Sequence, residues 1–324
     1  MMHALRVRAI ASHIPARRLS LERDHERVGI SPEAAKVFSR IYGMPSCAIS
    51  DETQSALLLH PCRAVLQAVP GSPLQVTALI HAHTGANIGT WSDSPTIHLA
   101  RELGLQRASV MGTCSNKCVA VFTALALAEC WLAACPSELA LIVVGERADT
   151  RELRVARNVA VVGDASAAAL VALSGGGPAM LAHVVQTYPG YAEGIWLPTR
   201  SPRYRDLEAQ FHSRLAKVMG DALDQVGMTF KQVDHVIPHN VNLQMWCRLA
   251  RSIGVAPERI LLENVSKVGH CLGADMFINF ESLRRTHVLT DGSTCLMVSA
   301  GEGGAFGAAV FAWHEGMAID PPSP

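Results

Sequence analysis

The stretch STCLMVSAGEGGAFGAAVFAW (residues 293–313) reads as a buried strand, a glycine-rich turn and a second strand of small and apolar residues. An echo of it stands earlier in the chain, where LALIVVGE (139–146) is followed by VVGDASAAALVAL (161–173). Both halves of the sequence therefore end alike, which predicts a duplication with the halves packed face to face. The boundary falls in SGGGP (174–178), whose glycines and proline interrupt any regular element. It divides the chain into 1–175 and 176–324.

Outward from these runs, apolar segments of strand length alternate with amphipathic segments of helix length. Residues 5–11, 74–81, 108–112, 139–145, 234–238 and 293–300 read as buried strands. Residues 52–68, 118–134, 206–226 and 243–253 carry apolar side chains at helical spacing. This alternation predicts an α/β layered fold around a largely buried sheet.

The composition suits such a fold. Of 324 residues, 49% are hydrophobic and 17% charged, which argues against long disorder. Lys+Arg and Asp+Glu are each 28, so no global field draws nucleic acid or an anionic membrane. An anionic partner would need a local patch. The opening MMHALRVRAIASHIP is charged and ends in Pro15, unlike a secretory signal, and no apolar run is expected to approach the ~18 residues of a membrane span. Nine scattered cysteines without a repeated CxxC point to reduced thiols and a cytoplasmic setting.

Four places carry possible chemistry. In TCSNKCVAVF (113–122), Cys118 opens an apolar helix, where unpaired backbone N–H groups favour a thiolate and an adjacent oxyanion. On position alone a buried filler is the commoner explanation. Cys114 and Cys118 as a metal pair would need two further ligands, which no recognisable spacing supplies. A disulfide between them would be out of place in a reducing compartment. In VIPHNVNLQMW (236–246), His239 and Asn242 precede a helix; such a histidine can act as acid, base or donor, or be structural. In ENVSKVGHCLGADMFINF (263–280), His270 follows Gly269, while Asn264 and Asp275 read first as cap or turn residues. In GEGGAFG (301–307), Gly301, Gly303 and Gly304 let backbone approach a ligand, or make a tight turn.

Taken in order, these features resemble the β-ketoacyl-[acyl carrier protein] synthase III family of the thiolase superfamily, over essentially the whole chain. AIASHIPARRLS (9–20) is similar to the family's opening strand and turn, and PTIHLARELGL (95–105) to its helix before the nucleophile strand. VVGDASAAALV (161–171) resembles its FGDGAGA-like segment, PHNVN (238–242) its PHQAN-like motif, and GEGGAFGAAV (301–310) its terminal glycine turn. The resemblance implies the five-layered α-β-α-β-α thiolase fold and a homodimer. It implies Cys118 as nucleophile with His239 and His270, and Asn242, Gly301, Gly303 and Gly304 around the oxyanion and substrate. Cys114 becomes a bystander.

Three departures stand out. His270 replaces the family's usual asparagine, giving a Cys-His-His set like that of elongating ketosynthases. Gln244 replaces the arginine associated with carrier docking, leaving Arg248 and Arg251 as a possible nearby patch. GMPSC (43–47) lacks the arginine that helps hold coenzyme A. The resemblance implies an acyltransferase of fatty-acid-like or polyketide metabolism that takes acyl-CoA or acyl carrier protein thioesters and needs no cofactor or metal. Cys118 would accept the acyl group, which a malonyl thioester then takes up by decarboxylative Claisen condensation. The alternatives are transfer of that acyl group to a hydroxyl, amine or carrier acceptor without decarboxylation, and a catalytically silent scaffold.

Overall fold

The structure is a computed structural model, and it describes residues 4–85, 94–286 and 289–316. Nine strands form the main sheet: β1 (Arg6–His13), β2 (Val76–Ala82), β3 (Ser109–Thr113), β4 (Leu139–Glu146), β5 (Ala165–Ala172), β6 (Ala179–Thr187), β7 (His235–Pro238), β8 (Thr294–Gly301) and β9 (Ala305–Ala312). Six helices cover it: α1 (Gln54–Ala68), α2 (Pro95–Glu102), α3 (Ala120–Ala134), α4 (Pro202–Asp224), α5 (Leu243–Ile253) and α6 (Asp275–Thr286).

The strand order is β7-β8-β9-β6-β1-β5-β4-β2-β3. At its centre, β1 and β6 meet through a single register pair, Arg6 with Ala179. The nine strands are therefore two sheets hinged at one point. Within each, the same pattern recurs. β1 runs antiparallel to β5, β5 antiparallel to β4, and β4 parallel to β2. Likewise β6 is antiparallel to β9, β9 to β8, and β8 is parallel to β7. Even β3, parallel to β2, has a counterpart in the second half, where Ile260 makes an isolated parallel bridge to Val236 of β7.

The helices stack as the sequence pattern requires. α1 lies on β1, β4 and β5, and α2 on β2 and β3, covering one outer face. α4 covers β6, β8 and β9 on the other outer face, with α5 against it. α3 and α6 lie between the sheets, each touching strands of both. The result is five layers, the thiolase architecture. Strands sandwiched this way lose their polar face, so β5 (ASAAALVA) is buried throughout and β4 at all but its last residue. α3 is apolar almost all round for the same reason. Residues 117–134 are in fact apolar and long enough to cross a bilayer by composition, contrary to the sequence expectation. In this fold the segment is the core helix between two sheets.

The duplication reaches the turns that enter the central helices. A 3-10 turn, Lys117–Val119, leads into α3, and another, Leu272–Ala274, leads into α6. Lys117 and Leu272 each have a φ of 54°, a left-handed conformation rare for residues with side chains. The two turns touch each other at the seam between the halves.

Candidate active site

Cys118 sits in the first of these turns, 5% exposed. The turn is held on several sides. Its carbonyl oxygen accepts a hydrogen bond from Ser299 Oγ at 3.4 Å, and the Asn116 amide donates to Thr123 at 3.1 Å. Gly301 lies so close that a Cβ there would stand 2.3 Å from the Asn116 carbonyl oxygen. Thr84 Oγ1 lies 4.0 Å from the sulfur, and the Thr84 carbonyl accepts from Lys117 Nζ at 3.3 Å. Glu146, at the end of β4, anchors that neighbour by accepting from the Thr84 and Gly85 N–H groups at 2.6 and 2.7 Å.

His270 faces Cys118, with Nε2 at 3.5 Å from Sγ. Its backbone is pinned between Val161 and Gly163: its N–H donates to the Val161 carbonyl and its carbonyl accepts from Gly163, both at 2.9 Å. Its other ring nitrogen donates to Asp275 at 2.5 Å. Asp275, the first residue of α6, is fully buried. Its two oxygens also accept from Asn240 N at 2.6 Å, Asn240 Nδ2 at 3.0 Å and Cys271 N at 2.7 Å. Beyond it the polar chain continues inward. Asn279 Nδ2 donates to Asn240 Oδ1 at 2.9 Å and to the Pro238 carbonyl at 2.7 Å, and Asn264 Nδ2 donates to Asn279 Oδ1 at 2.8 Å. A buried network satisfied at each step specifies one geometry. Here it fixes the orientation of the His270 ring.

His239 directly follows the strand β7 and is 3% exposed. Its ring centroid lies 5.9 Å from that of His270 and 5.2 Å from Trp246, whose Nε1 donates to the His239 carbonyl at 3.1 Å. The two imidazoles are driven apart in basicity. Burial pushes His239 down to about 3, with the positive charge on His270 adding to the effect against a hydrogen bond to the Val298 carbonyl. Burial would lower His270 too, but the Asp275 carboxylate, and then the Cys118 sulfur, reverse this and raise it to about 10. One histidine is thus neutral and the other cationic at neutral pH. Two adjacent imidazolium ions are avoided.

The remaining candidates separate from this cluster. Asn242 caps α5, accepting from Gln244 N at 2.9 Å and Met245 N at 3.3 Å. Gly303 and Gly304 have φ of 89° and 76°, and a Cβ on them would press on the Ala192 and Tyr188 carbonyl oxygens at 3.2 and 2.9 Å. These two build the turn, while Gly301 packs against the turn that carries Cys118. Arg248 and Arg251 line an open cavity of about 440 Å³ along α5 with Leu243, Gln244 and Cys247. Cys114, half-buried and free, accepts the Lys117 N–H at 3.0 Å on its carbonyl and so closes the turn ahead of Cys118. Asp275 and Asn240 are the residues that sequence reading missed. An acid at a helix start is ordinarily a dipole or capping residue. The available signal was its place between apolar residues, five positions after a histidine.

Comparisons with known proteins bear on the fold that carries this site. The family described as 3-oxoacyl-[acyl-carrier-protein (ACP)] synthase III C terminal matches residues 223–313. The β-ketoacyl-[acyl-carrier-protein] synthase III of Methylococcus capsulatus is 23% identical over 277 residues, 81% of this chain and 85% of the relative. The structure of ChlB3, an acyltransferase, superposes with a TM-score of 0.83 at 19% identity, covering 95% of this chain and 97% of the other. The 3-oxoacyl-[acyl-carrier-protein] synthase III of Aquifex aeolicus does so at 0.80 and 19%, covering 95% and 99%. Those structures share the fold, and the sequence matches point the same way: the chain is similar to the β-ketoacyl-[acyl-carrier-protein] synthase III enzymes and has their fold.

Proposed function

We propose that this chain is an acyltransferase that carries an acyl group on Cys118 and passes it, without decarboxylation, to a hydroxyl, amine or thiol acceptor. The observation that carries this reading is the line from Cys118 through His270 to Asp275. Condensation needs hydrogen-bond donors toward an enolate, and a neutral amide in place of His270 would serve for that. It needs no base, because loss of CO₂ generates the carbanion. A histidine oriented by a buried carboxylate adds what condensation does not require, though elongating ketosynthases carry a like Cys-His-His set: a group that removes a proton from an incoming acceptor.

The cycle closes in protons. The Cys118 thiolate attacks the thioester carbonyl, and the departing thiolate takes the Nε2 proton of His270 and leaves as a thiol. Acylation also removes the sulfur's negative charge, one cause that keeps His270 cationic. His270 is then neutral and able to accept the acceptor's proton as its oxygen, nitrogen or sulfur attacks the acyl carbon. Cys118 leaves as the thiolate. His239, held neutral, offers an N–H to the carbonyl oxygen in both steps. The acyltransferase ChlB3 among the structural neighbours supports this choice.

Decarboxylative condensation with a malonyl-type thioester is the second reading, favoured by the synthase III relatives and by the neutral His239. In either reading the donor is an acyl-CoA or acyl carrier protein thioester, with Arg248 and Arg251 as the carrier's docking patch. A homodimer fits the edge strand β3, whose Ser109, Val110 and Gly112 are exposed. Nine free thiols fit a cytoplasmic setting.

Intact-protein mass spectrometry with a panel of acyl-CoA and acyl-carrier thioesters tests the proposal, with alcohols, amines or malonyl thioesters added next. The expected result is an adduct lost in Cys118→Ala, retained in Cys114→Ala, and discharged by a hydroxyl, amine or thiol acceptor. Discharge only by malonyl thioester with release of CO₂ would establish condensation instead. No adduct with any donor would leave the scaffold reading.

A further inference from the structure

We propose that His13, Glu52 and His60 form a binding site for a divalent transition-metal ion of the zinc, cobalt or nickel class, separate from the Cys118 cluster. The three residues come from three segments of the first half. His13 ends β1, Glu52 lies in the loop ahead of α1, and His60 is in the second turn of α1. Glu52 already touches both imidazoles, with Oε2 at 3.2 Å from His13 Nε2 and Oε1 at 3.0 Å from His60 Nε2. The rings stack, with centroids 3.9 Å apart and planes 20° from parallel. One ligand atom from each residue lies within 4.8 Å of the other two.

Ligand atoms bound to one tetrahedral ion at ~2.0–2.2 Å stand about 3.4 Å apart. Small rotations of the two imidazoles would bring the trio to that spacing. The backbone under the carboxylate is already fixed. The Glu52 N–H donates to Ser50 Oγ at 3.1 Å, the Glu52 carbonyl accepts from Arg147 Nη1, and the Ser50 N–H donates to Asp164 at 2.8 Å. Two imidazole nitrogens and one carboxylate are a donor set for borderline ions rather than for calcium or magnesium. The side chains are 27%, 48% and 37% exposed for His13, His60 and Glu52, so water has room to complete the coordination. An ion there would tie the end of β1 to α1 and to the loop held by Arg147, a fastening of the first half rather than a catalytic centre.

Cobalt(II) is the probe, added to the full-length protein after treatment with a chelator, because its spectrum separates nitrogen and oxygen ligands from thiolates. The expected result is saturable uptake of a single equivalent, visible d–d bands without thiolate charge-transfer intensity, and a raised melting temperature. His60→Ala and Glu52→Gln should each weaken uptake by at least about ten-fold, the scale on which metal sites respond even to lost outer-shell support. Both side chains are partly exposed, so the variants' metal-free melting curves should match that of the wild type. Absence of saturable uptake, uptake unchanged in both variants, or a thiolate charge-transfer band from the cysteines would each overturn the site.

Discussion

Asp275→Asn tests the proposed role of the buried dyad most directly. All four donors around the carboxylate are occupied: Oδ2 accepts from His270 Nδ1 and Asn240 N, and Oδ1 from Cys271 N and Asn240 Nδ2. Whichever way the asparagine is turned, its NH₂ group meets two donors. The imidazole can relieve one clash by moving its proton to Nε2, which then points a donor at Cys118 instead of a base. The charge effect acts the same way. With Asp275 neutral, the largest cause that raises His270 is lost, and burial pulls its pKa down from about 10. Each unit of that fall is worth about 1.4 kcal/mol. Breaking a buried pair of this kind costs ~3–5 kcal/mol. Acylation of Cys118 should slow by ~10²–10⁴-fold, the scale seen when a triad carboxylate becomes an amide. The assay is quenched single-turnover acylation read by intact mass, with iodoacetamide alkylation of Cys118 followed against pH. The variant's alkylation at neutral pH should be slower, because the positive charge of His270 beside the sulfur is lost. Acylation within a few-fold of wild type, with an unchanged alkylation profile in a folded variant, would refute the reasoning.

Three further predictions concern stability. Gly301→Ala drives a methyl group into the Asn116 carbonyl oxygen at 2.3 Å, so denaturant melts should show a loss of at least ~1–3 kcal/mol and acylation should slow, since that turn carries Cys118. Gly220→Ala, with open space around it in α4, should be neutral or stabilising by ~0.5–1 kcal/mol. Against pH, the folded values of His239 and His81 lie below the unfolded one, both at about 3. Their contribution is therefore present above about pH 6.5 and lost as pH falls toward 3, whereas that of His270 is present below about pH 6.5 and lost as pH rises through about 10. Chemical denaturation across pH should show both flanks, with the acid slope reduced in His239→Gln.

Much of the fold was legible because burial on both faces leaves a strong mark. VVGDASAAALVAL and AFGAAVFAW read as strands of small residues, the two-fold echo pointed to halves packed face to face, and the family resemblance implied the five layers. β6 was not foreseen. AMLAHVVQT alternates only in part, since its far end is half exposed beside β9. At the site, Cys118, His239 and His270 stood out as reactive types at element boundaries. Asn242 drew attention by its place in a motif, yet it serves as a cap, while Asn240 two residues earlier enters the buried network. The role of Asp275 stayed hidden because an acid at a helix start reads as a cap or dipole residue, and the Asn240 that completes its surroundings lies thirty-five positions away in sequence. Short-range pattern carries no trace of such a pairing.

The paired turns at the seam have a consequence for how the chain can change. An ancestor with two like halves would have presented two equivalent helix entrances to each other across the seam. In this chain one entrance holds the Cys118 thiol group and the other the Asp275 carboxylate, each at the start of a buried helix, with His270 between them. These three groups form one chain of contacts that neither half contains by itself. A substitution at either entrance is felt at the other through His270. New chemistry in this scaffold therefore has to arise in both copies together, and drift in one half alone leaves the other's charge without its counterpart.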